Sequence, residues 1–290
     1  MLTLDKKVVI TCALTGGIHG KEANPNLPEQ PDEIIEQGIA AWKAGASILH
    51  VHARNPDGSN SMDTDIFAYQ HKTLCEETDA VVQLTTGGSP LLPVRARMNT
   101  IQLEPEMCSL NMGILNFWIR GERVFFSNHR EDIVEFAEEM RRLNVKPELE
   151  VYSLVMLEEV NRLLQTGLLD PPYMINFVLH TPTQGGMRGT PENLIEGVRR
   201  LPPEAYCNVS SMGRTQLPIS TIAMAMGCQV RVGMEDNVFY RYGELVENNA
   251  QLVARTVRIA KELELQPAHP DEVREVLGLR GRNKGELPNS

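Results

Sequence analysis

Residues 45–54 read Gly-Ala-Ser-Ile-Leu-His-Val-His-Ala-Arg. The run 47–52 is short and rich in branched apolar residues, the length of one strand. A helical pattern directly precedes it over 31–44, with Pro31 and two acids in its first turn, apolar Ile34, Ile35, Ile39 and Trp42, and Gly45 just past its end. The same alternation repeats along the chain. Strand-like runs fall at 8–14, 47–52, 80–85, 107–110, 146–151, 173–179, 205–209 and 229–232, with helical patterns between or after them. Thr190-Pro191 opens one such helix as cap and first residue, and a last helix is read over 249–263. Eight strand–helix alternations predict an α/β fold, a (β/α)₈ TIM barrel with a parallel sheet. The alternative, an open doubly wound sheet, calls for a G-x-G-x-x-G turn after the first strand. Thr15-Gly16-Gly17 and Thr86-Gly87-Gly88 lack that spacing.

The chain has 290 residues, 42% of them hydrophobic, enough for one large core. Residues 1–279 are expected to form one barrel domain, and 280–290, RGRNKGELPNS after Leu279, a polar tail. With 28 Lys+Arg against 38 Asp+Glu the formal charge is −10, which argues against a nucleic-acid partner. A local arginine cluster would still admit an anionic substrate. Cys12, Cys75, Cys108, Cys207 and Cys228 form no C-x-x-C pair and read as reduced core thiols. The opening MLTLDKKVVITCALTGG is too short an apolar run for a membrane span and reads as a first strand of a cytoplasmic protein.

His50-Val51-His52 is the sharpest local signal. Residues two apart on a strand share a face, roughly 6.5–7 Å apart. Two imidazoles at the C-terminal end of a barrel strand can therefore converge on one ion. The bland alternative is a hydrogen-bonded histidine pair. In a closed barrel, strands two and eight both flank strand one, so Glu235, just after the eighth strand, shares their rim. Two histidines and a carboxylate leave coordination positions open, as a catalytic ion requires. Asp236 and Arg231 belong to the same segment, and an acid beside a metal and an arginine can serve as base. Thr85, Thr86 and Gly87 end the third strand, where hydroxyls and backbone N–H groups can hold a carboxylate; a plain turn is the alternative. Glu148 and Glu150 share a face of the fifth strand and, if inward, require a charged partner such as Arg231. His180 and Gln184 lie in or beside a glycine-rich run after strand six that reads as a mobile loop.

The chain as a whole resembles the β-keto acid cleavage enzyme family, of the 3-keto-5-aminohexanoate cleavage enzyme kind. The resemblance is carried in order by ITCALTGG, PNLPEQPDEI, GASILHVHAR, QLTTGG, SLNMGILNF, PELEVY, GGMRG, MGRTQLPISTIAMAMG, VRVGMEDNVFY and NNAQLVAR. It implies a zinc-bearing (β/α)₈ barrel that joins a β-keto acid to acetyl-CoA and releases acetoacetate plus a new acyl-CoA. It places the zinc ligands on His50, His52 and Glu235, the acid/base carboxylate on Asp236 and the active-site arginine on Arg231. The hydroxyl that meets the substrate carboxylate falls on Thr85, and Glu150 takes a supporting place. Where the amino-substrate enzyme has a glutamate for the substrate's ammonium, this chain has Ile18. The resemblance also implies a homo-oligomer, a tetramer.

Imidazole and carboxylate donors suit Zn²⁺ and admit another divalent metal. CoA binding is not readable as a motif; Arg95, Arg97, Arg188 and Arg214 are candidates. The metal site alone also permits a metal-dependent hydrolase or aldolase, or a ligand-binding barrel without catalysis.

Overall fold

The computed structural model describes residues 1–88, 92–119 and 122–281. Eight parallel strands close into a barrel: β1 Ile10–Ala13, β2 Ile48–Val51, β3 Val81–Leu84, β4 Met107–Asn111, β5 Lys146–Val151, β6 Tyr173–Leu179, β7 Ala205–Ser211 and β8 Gln229–Val232. Closure comes from β8 pairing with β1, Arg231 opposite Thr11, while β1 pairs on its other edge with β2, Ala13 opposite His50. The strands fall where the apolar runs predict them, trimmed or extended by one or two residues at the ends. Helices α1 Pro31–Lys43, α2 Thr64–Glu77, α3 Val94–Met98, α4 Arg130–Arg142, α5 Leu154–Gln165, α6 Pro191–Arg199, α7 Gln216–Ala225 and α8 Asn249–Glu262 follow the strands in turn. The cap of α1 is a box in which Glu33 reaches back to the Gln30 backbone, and Pro31 fills the position that needs no N–H.

Strand periodicity sorts the core. Outward residues such as Ile10, Cys12, Leu49, Val51, Val82 and Leu84 pack against the helices. Inward residues form levels. At the bottom lie Val9, Ile48, Val81, Met107, Met174 and Tyr206. One step up each strand the interior turns polar, with Thr11, His50, Gln83, Ser109, Glu148, Asn176, Asn208 and Arg231 all buried. A barrel interior of this kind is ordinarily filled by bulky branched residues. Here only the lower level is apolar, and the polar levels above form the floor of the site.

The chain continues beyond the helix read from sequence as the last. Residues Gln266–Pro267 pair with Lys7–Val8, and α9, Pro270–Leu277, crosses beneath the barrel. Val273 and Leu277 join the bottom level of the core, each contributing about 1.5–3 kcal/mol by burial. The signals were present: Pro270 at the start, Asp271 and Glu272 in the first turn, and left-handed Gly278 after the end. The predicted polar tail begins pinned, with Arg280 on Glu104 and on the Leu143 carbonyl. Residues 282–290 lie outside the described residues.

Three hairpins stand on the opposite, C-terminal face: Ala53–Arg54 with Asn60–Ser61, Ile114–Ile119 with Glu122–Ser127, and Phe239–Arg241 with Glu244–Leu245. Cys12, Cys108, Cys207 and Cys228 are buried free thiols. Among the described residues no helix is long and apolar enough to cross a membrane.

Candidate active site

His50, His52 and Glu235 meet at the C-terminal mouth of the barrel, their ligand atoms all within 4.8 Å of one another. The backbone explains the meeting. Ala13, at the end of β1, lies opposite His50, and its carbonyl accepts the Glu235 N–H at 3.2 Å. Gly233 makes that turn possible: its φ is +144°, and a Cβ there would strike the Ala13 carbonyl. Gly16, at φ +64°, brings the loop after β1 so close that any side chain would displace the Glu235 stem.

Glu235 Oε2 lies 3.7 Å from His50 Nε2, and Oε1 lies 3.5 Å from His52 Nε2. The rings sit 5.1 Å apart at 65°. Gln83 Oε1 holds His50 Nδ1 at 2.6 Å, so Nδ1 carries the proton and the Nε2 lone pair faces Glu235. Burial pushes His50 down to about 3, leaving it neutral at physiological pH. Glu235 Oε2 is buried with no hydrogen-bond donor. A lone pair and a carboxylate oxygen thus face each other with no proton between them, an arrangement that a cation relieves.

Arg231 organises the other side. It donates from Nε and Nη2 to both oxygens of Asp236, at 3.0 and 2.9 Å, from Nη1 to Glu150 at 3.2 Å, and from Nη2 to Glu235. One guanidinium serves three carboxyl groups, so the acids outnumber the one fixed positive charge in the wall, a setting that favours a cation. Burial opposes the Glu235 charge, but the Arg231 guanidinium beside it, with His52 and His50, holds its carboxyl well below the usual carboxylate range. Burial raises Asp236 against the pull of Arg231, and raises Glu150 to about 8. Asp236 is 0% exposed, so in this arrangement Arg231 holds and covers it. Glu148, also pushed up by burial, accepts from Asn208 at 2.7 Å rather than from Arg231.

The turn after β3 abuts this centre. The space over Gly87 is bounded by the Thr85 hydroxyl and the His52 ring. Thr85 Oγ1 accepts the Gly87 N–H at 2.8 Å, and among the described residues no acceptor takes its own hydrogen. Thr86 commits its hydroxyl to the Ser109 carbonyl at 2.7 Å, which leaves Thr85 as the one of the two without an acceptor among the described residues. Ile18 lies on the same face, in the loop after β1, 50% exposed. His180 takes a left-handed φ of 61° just past β6. The loop read as mobile is stitched to the second hairpin through Thr183 and Gln184 on the Asn116 backbone, each at 3.0 Å. Of the CoA candidates, Arg95, Arg188 and Arg214 are exposed, whereas Arg97 is buried and cannot reach a ligand on the surface.

Two contributors went unread in the sequence. Gln83 shares the inward face of β3 with Thr85, a period-2 signal that was available. Arg54, two residues beyond His52, clamps the loop after β1 by donating to the carbonyls of Gly16 at 2.9 Å and His19 at 2.6 Å, and to Gly58 at 2.8 Å. Nothing in its sequence context marks that reach.

A family model described as beta-keto acid cleavage enzyme matches residues 7–279. A 3-keto-5-aminohexanoate cleavage enzyme from Acetoanaerobium sticklandii is 37% identical over 275 residues, 94% of this chain and 99% of the relative. A 3,5-dioxohexanoate:acetyl-CoA acetone transferase from Paraburkholderia graminis is 34% identical, covering 95% of this chain and 97% of the relative. Among solved structures, apo ObcA superposes with a TM-score of 0.76 at 17% identity, over 88% of this chain and 66% of that longer one, and shows the shared fold.

Proposed function

The chain belongs to the β-keto acid cleavage enzyme family, and from that premise we propose that it joins a β-keto acid to acetyl-CoA and releases acetoacetate and a new acyl-CoA. We infer that His50, His52 and Glu235 hold a divalent ion, zinc by the chemistry of its donors. The observation that carries this reading is the buried, donorless Glu235 Oε2 facing the neutral His50 Nε2.

When bound, the ion supplies Lewis acidity at the keto group and so lowers the pKa of the neighbouring C2 proton. Thr85 Oγ1 donates to the substrate carboxylate. An Asp236 oxygen takes the C2 proton once Arg231 shifts to uncover it; burial has raised its basicity, and Arg231 orients it and offsets the shifting charge. Glu150 holds the far edge of Arg231. The C2 carbanion attacks the acetyl-CoA carbonyl and expels the CoA thiolate, the thiolate adds to the C3 carbonyl, and the C2–C3 bond breaks to give the new acyl-CoA, with Asp236 returning its proton to C2 of acetoacetate. Exposed Arg95, Arg188 and Arg214 are the candidates for the CoA phosphates.

Ile18 favours a substrate tail without an ammonium group, because an ammonium against an apolar side chain loses hydration without a counter-charge. Residues 1–279 act as one barrel domain in a cytoplasmic homo-oligomer, a tetramer by resemblance. The exposed Phe239, Tyr242 and Leu245 on the third hairpin are consistent with association.

The test is metal analysis of purified protein followed by a screen of β-keto acids with and without acetyl-CoA. Acetyl-CoA-dependent formation of acetoacetate supports the reading. Turnover that ignores acetyl-CoA points instead to a hydrolase or aldolase, and full activity without bound metal removes the ion site.

A further inference from the structure

Arg97 lies in α3, directly behind the turn that ends β3, and is 2% exposed. Among the described residues no carboxylate reaches ion-pair distance of it. Its Nη1 donates to the Thr86 carbonyl at 3.4 Å and its Nη2 to the Ser127 carbonyl at 2.9 Å, while Nε is buried without an acceptor. The guanidinium stacks over Phe126, 4.3 Å from the ring centroid, with Phe136 at 5.8 Å. Asp132, the acid whose field it feels, accepts the His129 backbone N–H in a helix cap. A charge this buried is costly to keep, and rings and carbonyls offset only part of that cost.

What the charge faces gives it a use. The Thr86 carbonyl and the Gly87 N–H belong to one peptide unit. Arg97 pulls on its oxygen, and its N–H donates to Thr85 Oγ1. Thr85 Oγ1 in turn meets no acceptor for its own hydrogen among the described residues, and it borders the space that the His52 ring also bounds. The chain runs guanidinium, peptide, hydroxyl, and each hydrogen bond polarises the next in the same sense. Thr100 on the Thr85 carbonyl, at 2.9 Å, and Thr86 on the Ser109 carbonyl keep the turn from rotating out of line.

We propose that Arg97 is a positioning residue that makes the Thr85 hydroxyl selective for an ionised carboxylate, acting through the Thr86–Gly87 peptide without touching the substrate. The inference rests on the reading that the substrate carboxylate seats at Thr85. Its test needs no turnover: bind acetoacetate and its near-isosteric neutral amide, acetoacetamide, to metal-loaded protein by calorimetry, and take the ratio of affinities.

The wild-type protein prefers the carboxylate. Arg97→Gln lowers the ratio on the order of ten-fold, the scale of one partly buried charge nearby, with metal content unchanged. Arg97→Lys, which keeps the charge and loses the fork, retains most of the preference, whereas a purely mechanical tether would fail in both. In a Thr85→Ala background the Arg97→Gln effect shrinks toward nothing, because the relay is already cut. If Arg97→Gln does not fold, Arg97→Met replaces it, keeping an apolar stem against Phe126. An unchanged ratio on loss of the charge, or an equal drop without Thr85, overturns the proposal. Failure of the wild-type protein to cleave any β-keto acid overturns the proposed function instead, and leaves the ratio measurable.

Discussion

The two ends of the barrel each bury an arginine among carboxylates, and they balance charge differently. Beneath the barrel, Arg274 meets Glu106 in a two-point pair, at 2.8 and 2.9 Å, and spends its remaining donors on the Asp79 and Ala80 carbonyls and on Asp271. Both Glu106 oxygens are taken. At the mouth, Arg231 faces Glu150, Glu235 and Asp236, and one Glu235 oxygen has no donor. The lower pair is closed and anchors α9 against the barrel. The upper cluster leaves that oxygen unpaired, and the proposed cation would satisfy it. A buried arginine is therefore no sign of function by itself; the imbalance around it is.

That contrast breaks first at the metal. His52→Ala should abolish both bound metal and activity while the circular dichroism stays that of a folded barrel, and chelation should do the same to the wild-type protein. Adding the ion back should raise Tm, since it binds the native state alone. A metal-free protein with full activity and unchanged Tm would mean that the upper cluster is as self-sufficient as the lower.

Next comes Asp236→Asn. The amide keeps the shape and cannot take the proton, so kcat should fall roughly 10²–10⁴-fold with metal retained. Near-wild-type kcat would reduce Asp236 to a partner of Arg231, a structural role like that of Glu106.

The lower pair gives the converse result. Arg274→Met leaves Glu106 buried and unpaired, which should cost about 3–5 kcal/mol of stability, while metal content and the kcat of the folded fraction hold. Adding Glu106→Leu should recover much of the loss. A large fall in kcat with little change in denaturation midpoint would contradict the assignment of the lower pair to stability.

The smallest effect belongs to the rim. Ile18→Glu should shift kcat/KM toward 3-keto-5-aminohexanoate and away from an uncharged β-keto acid of similar length, by about ten-fold at most for a half-exposed charge. A wild-type preference for the amino substrate, or a ratio unmoved by the substitution, would remove Ile18 as the selector.

Period-2 and period-3.6 patterns are local, so the eight strands and the helices between them could be read along the chain, as could the shared face of His50 and His52. The order of the strands around the barrel then put Glu235 near them. The α9 helix carried legible caps and was still missed, because a short helix after a break in the pattern looks like a tail until its apolar side has something to cover. That something is the underside of the barrel, which no local pattern contains.

What the sequence determined by itself was which residues face inward and at which end of the strands chemistry could gather, because side-chain direction follows from the backbone repeat. What only the tertiary structure decided was how charge balances there. The Glu235 oxygen left without a donor, Asp236 held on both oxygens by Arg231, and Arg97 aligned behind the Thr85 turn all depend on ångström-scale distances between strands and loops far apart in the chain. Those distances are fixed by closure of the barrel, and a hydrogen bond or an ion pair exists only within them.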